Sequence, residues 1–291
     1  MAVLGIVGGS GLYDMTGLRD VERFDVDTPY GAPSDALVRA RLDGTDHQLL
    51  FLPRHGRGHR VPPHAINYRA NVCALKKAGA THLLSVSAVG SMKETIAPGD
   101  LVVVDQFIDL TKRRISTFFD AGSACHVAFA EPICPVLAEA LHAAAERVVE
   151  ALPPNGRPRI HRGGTYVCIE GPQFSTRAES LVYRSWGVDV VGMTNMPEAK
   201  LAREAQLPYA TLALATDYDC WHESEEAVDV AAVIARLGTM VDHARNTSRE
   251  LAASLPAAPS PAEQALAGAL MTAPDAMPPE VRSRLSWLLP T

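Results

Sequence analysis

An α/β fold, with a sheet carrying helices on both faces, is what this chain predicts, and three observations predict it. Short apolar runs bounded by turn residues recur along most of its length. Segments of helical periodicity lie between them. At 291 residues with 47% apolar and only 6% aromatic side chains, the chain can fill a large core mainly from Ala, Val, Leu and Ile. The runs at 3–7, 48–52, 82–86, 101–104, 164–169, 188–191 and 209–214 read as buried strands. Helical patterns fall at 67–78, 135–152, 177–185 and 198–204, and a long one with few breakers at 231–255. A Pro/Ala linker at 257–262 then leads to a short helix and a tail broken by Pro274, Pro278 and Pro279. No repeat and no boundary interrupts the chain before that tail, so one domain is the simpler reading.

Bulk composition excludes several classes. A net charge of −6 gives no basic face for nucleic acid, although a local arginine cluster can still hold a small anion. Five cysteines, with no C-x-x-C pair, argue against a disulfide framework or a Cys-based zinc site and for a reducing, cytoplasmic setting. The N-terminus runs straight into glycines without a basic segment and reads as a strand and turn rather than a leader. No apolar run reaches the length of a membrane span.

Chemistry gathers at the ends of the expected strands, where open α/β sheets bind ligands. Gly8-Gly9-Ser10-Gly11 follows the first, and fits either an anion-cradling turn or a purely structural one. Its spacing is not that of a dinucleotide fingerprint. Arg54, His55, Arg57, His59 and Arg60 follow the second. Arginine forks suit phosphate, and a solvated basic loop is the alternative. His55, His59 and His64 lack a spaced carboxylate or thiol, so no metal is expected.

Ser87-Ala88-Val89-Gly90-Ser91 reads as a strand end with small residues and hydroxyls, a plain tight turn being the alternative, and Met193-Thr194-Asn195-Met196-Pro197-Glu198 as a strand end opening a helix at Pro197. Met193 and Phe174 could equally be core. Asp217 and Asp219 stand two apart beyond the last apolar run and suit a nitrogen-rich ligand edge. Hydroxyls, an arginine, a thioether, an aromatic ring and two carboxylates at separate strand ends are what a small-molecule site needs.

With these residues in view, the chain from about residue 3 to 256 resembles the trimeric purine nucleoside phosphorylases. The motifs carrying the resemblance include Gly5-Ile-Val-Gly-Gly-Ser-Gly-Leu, Thr28-Pro-Tyr-Gly-Ala-Pro-Ser-Asp, Arg54-His-Gly-Arg, Asn67-Tyr-Arg-Ala-Asn, Glu170-Gly-Pro-Gln-Phe, Met193-Thr-Asn-Met-Pro-Glu and Thr216-Asp-Tyr-Asp-Cys-Trp. The resemblance implies a three-layer fold with a mixed central sheet: a nucleoside phosphorylase domain at 1–256 and a helical tail at 257–291 able to close the site, with Leu270 and Met277 as candidate contacts.

It implies a pentosyltransferase of purine and methionine salvage, splitting 5′-methylthioadenosine with inorganic phosphate as co-substrate and no cofactor. The alternative within the family is a 6-oxopurine nucleoside or methylthioinosine phosphorylase. Residue by residue, Ser10, Arg54, His55, Ser87, the Ala88 N–H and Thr194 would hold phosphate. Met193 would lie on the ribose, Phe174 and Ser175 on the purine. Asp217, its pKa raised by burial beside a second carboxylate, would donate a proton to N7. An ionised Asp219 would accept from the 6-amino group. Val230, Val233 and His126 would line the 5′ pocket, His126 reaching across a homotrimer interface. Gln173 departs from the family's arginine and removes a charge there.

Overall fold

The computed structural model describes residues 2–9, 11–12, 15–120, 122–222, 230–257, 259–273 and 275–289; within 230–239 the side chains of 230–233, 235 and 239 lie outside that description. Among the described residues the strands are β1 (Val3–Gly8), β2 (Leu18–Phe24), β3 (Leu37–Leu42), β4 (Gln48–Pro53), β5 (His82–Ser91), β6 (Leu101–Val103), β7 (Gln106–Asp109), β8 (Ile160–Arg162), β9 (Thr165–Cys168), β10 (Val190–Gly192) and β11 (Tyr209–Asp217). The α-helices are α1 (Tyr68–Lys77), α2 (Pro135–Glu150), α3 (Arg177–Ser185), α4 (Asn195–Glu204), α5 (Val230–Ala253) and α6 (Pro279–Leu285). Each of the seven expected runs is a strand and each of the five expected patterns is a helix.

The sheet is mixed, as expected. Its main path is β2-β3-β4-β1-β5-β10-β9-β7, while β11 also pairs β5 and continues to β6 and β8. β5 is the hub. It runs parallel to β1 and β11 and antiparallel to β10, so three strands converge on its last residues. Pairing of Gly90 and Ser91 with Val191 and Val190 keeps the strand going to Ser91, so 87–91 is a strand end and not a plain tight turn.

Strand periodicity explains the layers. In β1, Val3 and Val7 face the core that contains Val72 and Leu75 of α1 and Ala199 and Leu201 of α4. Leu4 and Ile6 face the opposite core, with Leu137 and Leu141 of α2 and Met240, Ala244 and Leu251 of α5. Both faces of β1 are covered, which is why its sequence is continuously apolar.

Local chemistry fixes the helix ends. Asn67 caps α1 by accepting from the Ala70 N–H, and Thr176 with Glu179 forms a reciprocal capping box on α3. In α4, Met196 keeps an extended backbone (φ −112°, ψ 132°), so regular helix starts at Pro197, as expected.

The tail differs from its reading. Pro279 opens α6 instead of breaking a helix, because a first-turn proline needs no N–H partner. The tail packs on the 118–126 loop. Trp287 stands edge-on to Phe118 at 4.9 Å, Leu270 bridges Cys125, and Met277, Val281 and Leu285 are buried.

Candidate active site

One cavity of about 270 Å³ opens where β1, β4, β5, β10 and β11 end. It brings together Arg54, His55, Ser87, Ala88, Phe174, Ser175, Met193, Thr194, Asp217 and Asp219, ten of the residues singled out from the sequence. Ser10 lies outside the described residues, beside Gly9, which lines the cavity. The side chains of Val230 and Val233 also lie outside them; further along the same helix, Leu237 lines the cavity. His126 is not in it. That residue lines a second cavity of about 470 Å³ with Cys125, Phe129, Lys200 and Glu204. Neither Leu270 nor Met277 reaches the first cavity, and Gln173 is exposed on its loop.

At the basic end Arg54 is 2% exposed, and most of its donors are committed inward. Nε and Nη2 grip the two oxygens of Glu198 at 2.9 and 3.1 Å. Nη2 also reaches the Val7 carbonyl and Ser85 Oγ, and Nη1 the Val86 carbonyl. Among the described residues no acceptor meets the second Nη1 hydrogen, and Arg54 lines the cavity. Burial works against the charge, yet the Glu198 carboxylate outweighs it and holds the guanidinium above its ordinary range. Arg54 therefore presents a fixed positive charge rather than the open bidentate fork that the sequence suggested.

The other two arginines of that segment do not enter the cavity. Arg60 reaches the Ser34 carbonyl and Asp35, and the Arg57 backbone N–H is held by Asp35. The basic cluster thus divides into one buried cation and a surface brace.

His55 Nδ1 lies 2.9 Å from the Val61 carbonyl, and its ring stacks on His59 at 4.1 Å. Burial first, then the Arg54 charge, push its pKa down to about 4. The Ser87 and Thr194 hydroxyls meet at 3.1 Å, with the buried Tyr166 hydroxyl 3.3 Å from Ser87. A Cβ on Gly192 would lie 2.0 Å from that hydroxyl, so only glycine lets Tyr166 support this pair.

At the acidic end a β-bulge aims the carboxylates. Ala215 pairs with Val89 and Asp217 with Gly90, which leaves Thr216 as the extra residue. Thr216 Oγ1 donates to Asp217 Oδ2 at 2.7 Å, and the Asp219 N–H donates to Oδ1 at 2.8 Å. Asp219 takes a left-handed backbone (φ 53°), a conformation that Asp tolerates better than most residues. Its carboxyl is buried. Desolvation raises its pKa, and the Asp217 charge adds to this. Burial thus works against an ionised Asp219, the form in which it is expected to accept from a 6-amino group.

Gly90 lies under the pair. A Cβ there would sit 2.9 Å from Asp217 Oδ1, 3.1 Å from Val191 Cγ1 and 3.2 Å from Asp219 Cβ. Gly90→Ala is expected to keep the fold while displacing the carboxylates. A shift of about 1 Å costs roughly 10²-fold in turnover. Steady-state kinetics beside a thermal melt check this, and unchanged turnover would refute the packing argument.

Sequence reasoning missed Arg114. Its side chain is 1% exposed and joins three segments. Nη1 donates to the Met193 and Met196 carbonyls at 2.7 and 2.6 Å and to the Tyr68 hydroxyl at 2.9 Å. Nη2 holds the Glu170 carbonyl at 2.6 Å, and Nε the Glu170 carboxylate at 3.1 Å. Arg114 thereby ties the Met193 wall to the Glu170-Gly171-Pro172 turn that leads to Phe174. At that turn Gly171 (φ 64°) has no Cβ to strike Met193 Sδ, which it would meet at 2.5 Å.

A cavity with a fixed cation and hydroxyls at one end and paired carboxyls at the other joins the mixed sheet in one description, and the comparison with known families agrees with it. Residues 3–254 match the family model of the phosphorylase superfamily. The chain belongs to that superfamily. It is 50% identical over 289 residues to the S-methyl-5′-thioadenosine phosphorylase of Geobacter sulfurreducens, covering 99% of this chain and 98% of that one. Against the enzyme of the same name from Synechocystis it is 49% identical, covering 99% and 87%.

Among solved structures, it superposes on a methylthioadenosine phosphorylase sourced from an antarctic soil metagenomic library with a TM-score of 0.92. The two are 48% identical, with 99% of each chain covered. The methylthioadenosine phosphorylase from Schistosoma mansoni in complex with adenine gives a TM-score of 0.81 at 40% identity, covering 89% and 93%.

Proposed function

We propose that this member of the phosphorylase superfamily catalyses phosphorolysis of S-methyl-5′-thioadenosine to adenine and 5-methylthioribose 1-phosphate, a pentosyl transfer in purine and methionine salvage. The observation that carries the reading is the lining of the first cavity, which brings Arg54, Ser87 and Thr194 together with Met193, Asp217 and Asp219. Identities near 50% to enzymes of that name, over almost the full chain, support the substrate.

Phosphate, the co-substrate, lies under the ribose and attacks the anomeric carbon as the bond to adenine breaks. The electron pair of that bond leaves with the base, and the proton it needs comes from the Asp217–Asp219 pair. The phosphate's proton restores the pair, and the sugar ester departs. Fixing the two reactants in this geometry lowers the barrier by roughly 7–11 kcal/mol in favourable cases. A carboxylate that accepts from the 6-amino group disfavours a 6-oxo group by lone-pair repulsion and so favours adenine over hypoxanthine or guanine. No cofactor takes part.

The working form on this reading is a cytoplasmic homotrimer. His126 of each subunit completes the 5′ pocket of the next. The 257–291 tail braces the loop that bears His126: the His126 N–H donates to the Ala269 carbonyl at 2.9 Å. It therefore closes the site through a neighbour. Adenine release from S-methyl-5′-thioadenosine, measured with and without inorganic phosphate and beside methylthioinosine and inosine, tests the proposal. Phosphate-dependent release with little turnover of the inosines is expected. Release without phosphate means a hydrolase, and preference for the inosines overturns the reading of the base site.

A further inference from the structure

We propose that Arg184 and Trp221 are positioning residues for this reaction: the guanidinium stacks over the indole, and the stacked pair latches the turn bearing Asp217 and Asp219 to the end of β5. This rests on the reading that those two carboxyls face the base. Trp221 follows Asp219 by two residues, and its indole N–H donates to the Ser91 carbonyl at 2.7 Å. Arg184 Cζ stands 3.4 Å from the centre of the Trp221 ring, close enough for a guanidinium to stack on an aromatic face. Its Nη1 donates to the Met92 carbonyl at 2.9 Å. Both anchors are thus backbone carbonyls at one place, the last residue of β5 and the next, just past the Gly90 that lies under the acid pair.

The turn has need of a latch. The ladder between β11 and β5 ends at Asp217, after a bulge, and Asp219 beyond it holds a left-handed backbone (φ 53°). Trp221 restores a tie to the strand that the ladder has left. Its indole also packs on the small cluster of Met92, Val167, Ile169, Tyr183, Val188 and Val191, which fixes the plane that Arg184 covers. On its other side the turn is joined to the cavity wall, since the Cys220 thiol donates to the Ser175 carbonyl at 3.4 Å. Helix α3 starts just after that wall and carries Arg184 in its last turn. Arg184 therefore closes a ring of contacts: β5 end, acid turn, Phe174–Ser175 wall and α3 move as one unit. The same strand bears Ser87 and Ala88 in the cavity. Through the latch, β5 sets the distance between the groups around phosphate and the groups around the base.

Opening the latch leaves Arg54, Ser87 and Thr194 in place and lets the two carboxyls drift from the base. A misplacement of about 1 Å costs roughly 10²-fold in turnover. Discrimination between a 6-amino and a 6-oxo purine falls as well, because it depends on where Asp219 stands; forfeiting the worth of one ordinary hydrogen bond lowers it about tenfold.

Steady-state kinetics of Arg184→Met, Arg184→Lys and Trp221→Phe test this, on methylthioadenosine and on methylthioinosine, with inorganic phosphate varied and with enough enzyme to measure the slower substrate. Methionine keeps an apolar stem without charge or donor. Arg184→Met is expected to lose about 10²-fold in kcat on methylthioadenosine and about tenfold in the ratio of kcat/KM for methylthioadenosine over methylthioinosine, with KM for phosphate near that of the parent. Trp221→Phe keeps a ring but not the N–H and moves the same quantities the same way. Arg184→Lys can still donate to the Met92 carbonyl and set its charge on the ring, and recovers most of the loss. The ratio does not depend on how much of a preparation is folded, so a residue that only stabilises the fold leaves it at the parent's value. An unchanged ratio in Arg184→Met overturns the proposal, as does a KM for phosphate that rises in step with the fall in kcat. Where Arg184→Met does not fold, the ratio in Trp221→Phe decides in the same way. A parent chain that releases no adenine from methylthioadenosine with phosphate fails the reading of the site itself, an outcome distinct from an unchanged ratio in the variants.

Discussion

Asp217→Asn is expected to release adenine from S-methyl-5′-thioadenosine about 10²–10⁴-fold more slowly than the parent chain, with its melting temperature little changed. The size follows from removing one carboxyl of the pair that protonates the leaving group. The selectivity follows from the way Asp217 is held. Its Oδ1 accepts the Asp219 N–H and its Oδ2 the Thr216 hydroxyl. Asparagine keeps an acceptor for the first, and its NH₂ can donate to the same hydroxyl oxygen, so the bulge is preserved while the carboxyl is lost.

A second consequence separates chemistry from packing. The Asp217 charge helps to raise Asp219, so in the variant Asp219 loses that contribution and ionises at lower pH. The proton needed at the base is then held less firmly, and the alkaline limb of the kcat profile, taken at saturating phosphate, moves towards lower pH. The new NH₂ can also donate to a 6-oxo group, so some turnover of inosine is expected. Turnover of methylthioadenosine equal to that of the parent would remove Asp217 from the mechanism.

Much of this site was legible in the sequence because its residues follow apolar runs, and the ends of such runs are where a parallel-rich sheet exposes backbone and side chains together. The strands that escaped reading show the limit. Four did so: β2, an edge strand with most of its side chains exposed, β3, interrupted by Arg39 and Arg41, the four-residue β7 and the three-residue β8, none of which carries a continuous apolar run. Strand direction also leaves no local trace: nothing within 82–91 announces that β5 pairs with three neighbours.

The missing site residues share a different cause. Arg114 lies in Leu110-Thr-Lys-Arg-Arg114, a charged stretch that reads as solvated loop, and only the fold shows that this arginine is buried while Arg113 beside it is exposed. Glu198 was visible in the Met193-to-Glu198 motif, but a carboxylate in the first turn of a helix reads as dipole compensation. Its partner is 144 residues away in the chain.

Glu198→Ala is the substitution with the largest expected effect on stability. Glu198 and Arg54 are 1% and 2% exposed, and the pair extends through the Tyr209 hydroxyl, which donates to Glu198 Oε1 at 3.0 Å, to Asn195. Truncating the carboxylate leaves a buried guanidinium with carbonyl and hydroxyl partners but no countercharge, a change that costs roughly 3–5 kcal/mol. For a domain of this size that lowers the melting temperature by on the order of 10 °C. Turnover falls too, because an Arg54 released from the Glu198 fork no longer holds its remaining hydrogen towards the cavity.

The double variant Arg54→Met, Glu198→Leu separates the two roles. Replacing a buried ion pair by apolar side chains of similar volume is often neutral or stabilising, so its melting temperature should recover most of the loss. Its phosphate-dependent turnover should not recover, since the cation that faces the co-substrate is gone. Recovery of both would reduce Arg54 to a packing element. A Glu198→Ala chain that melts with the parent would mean that the Arg54 charge is satisfied without its carboxylate, and the account of the basic end would fail.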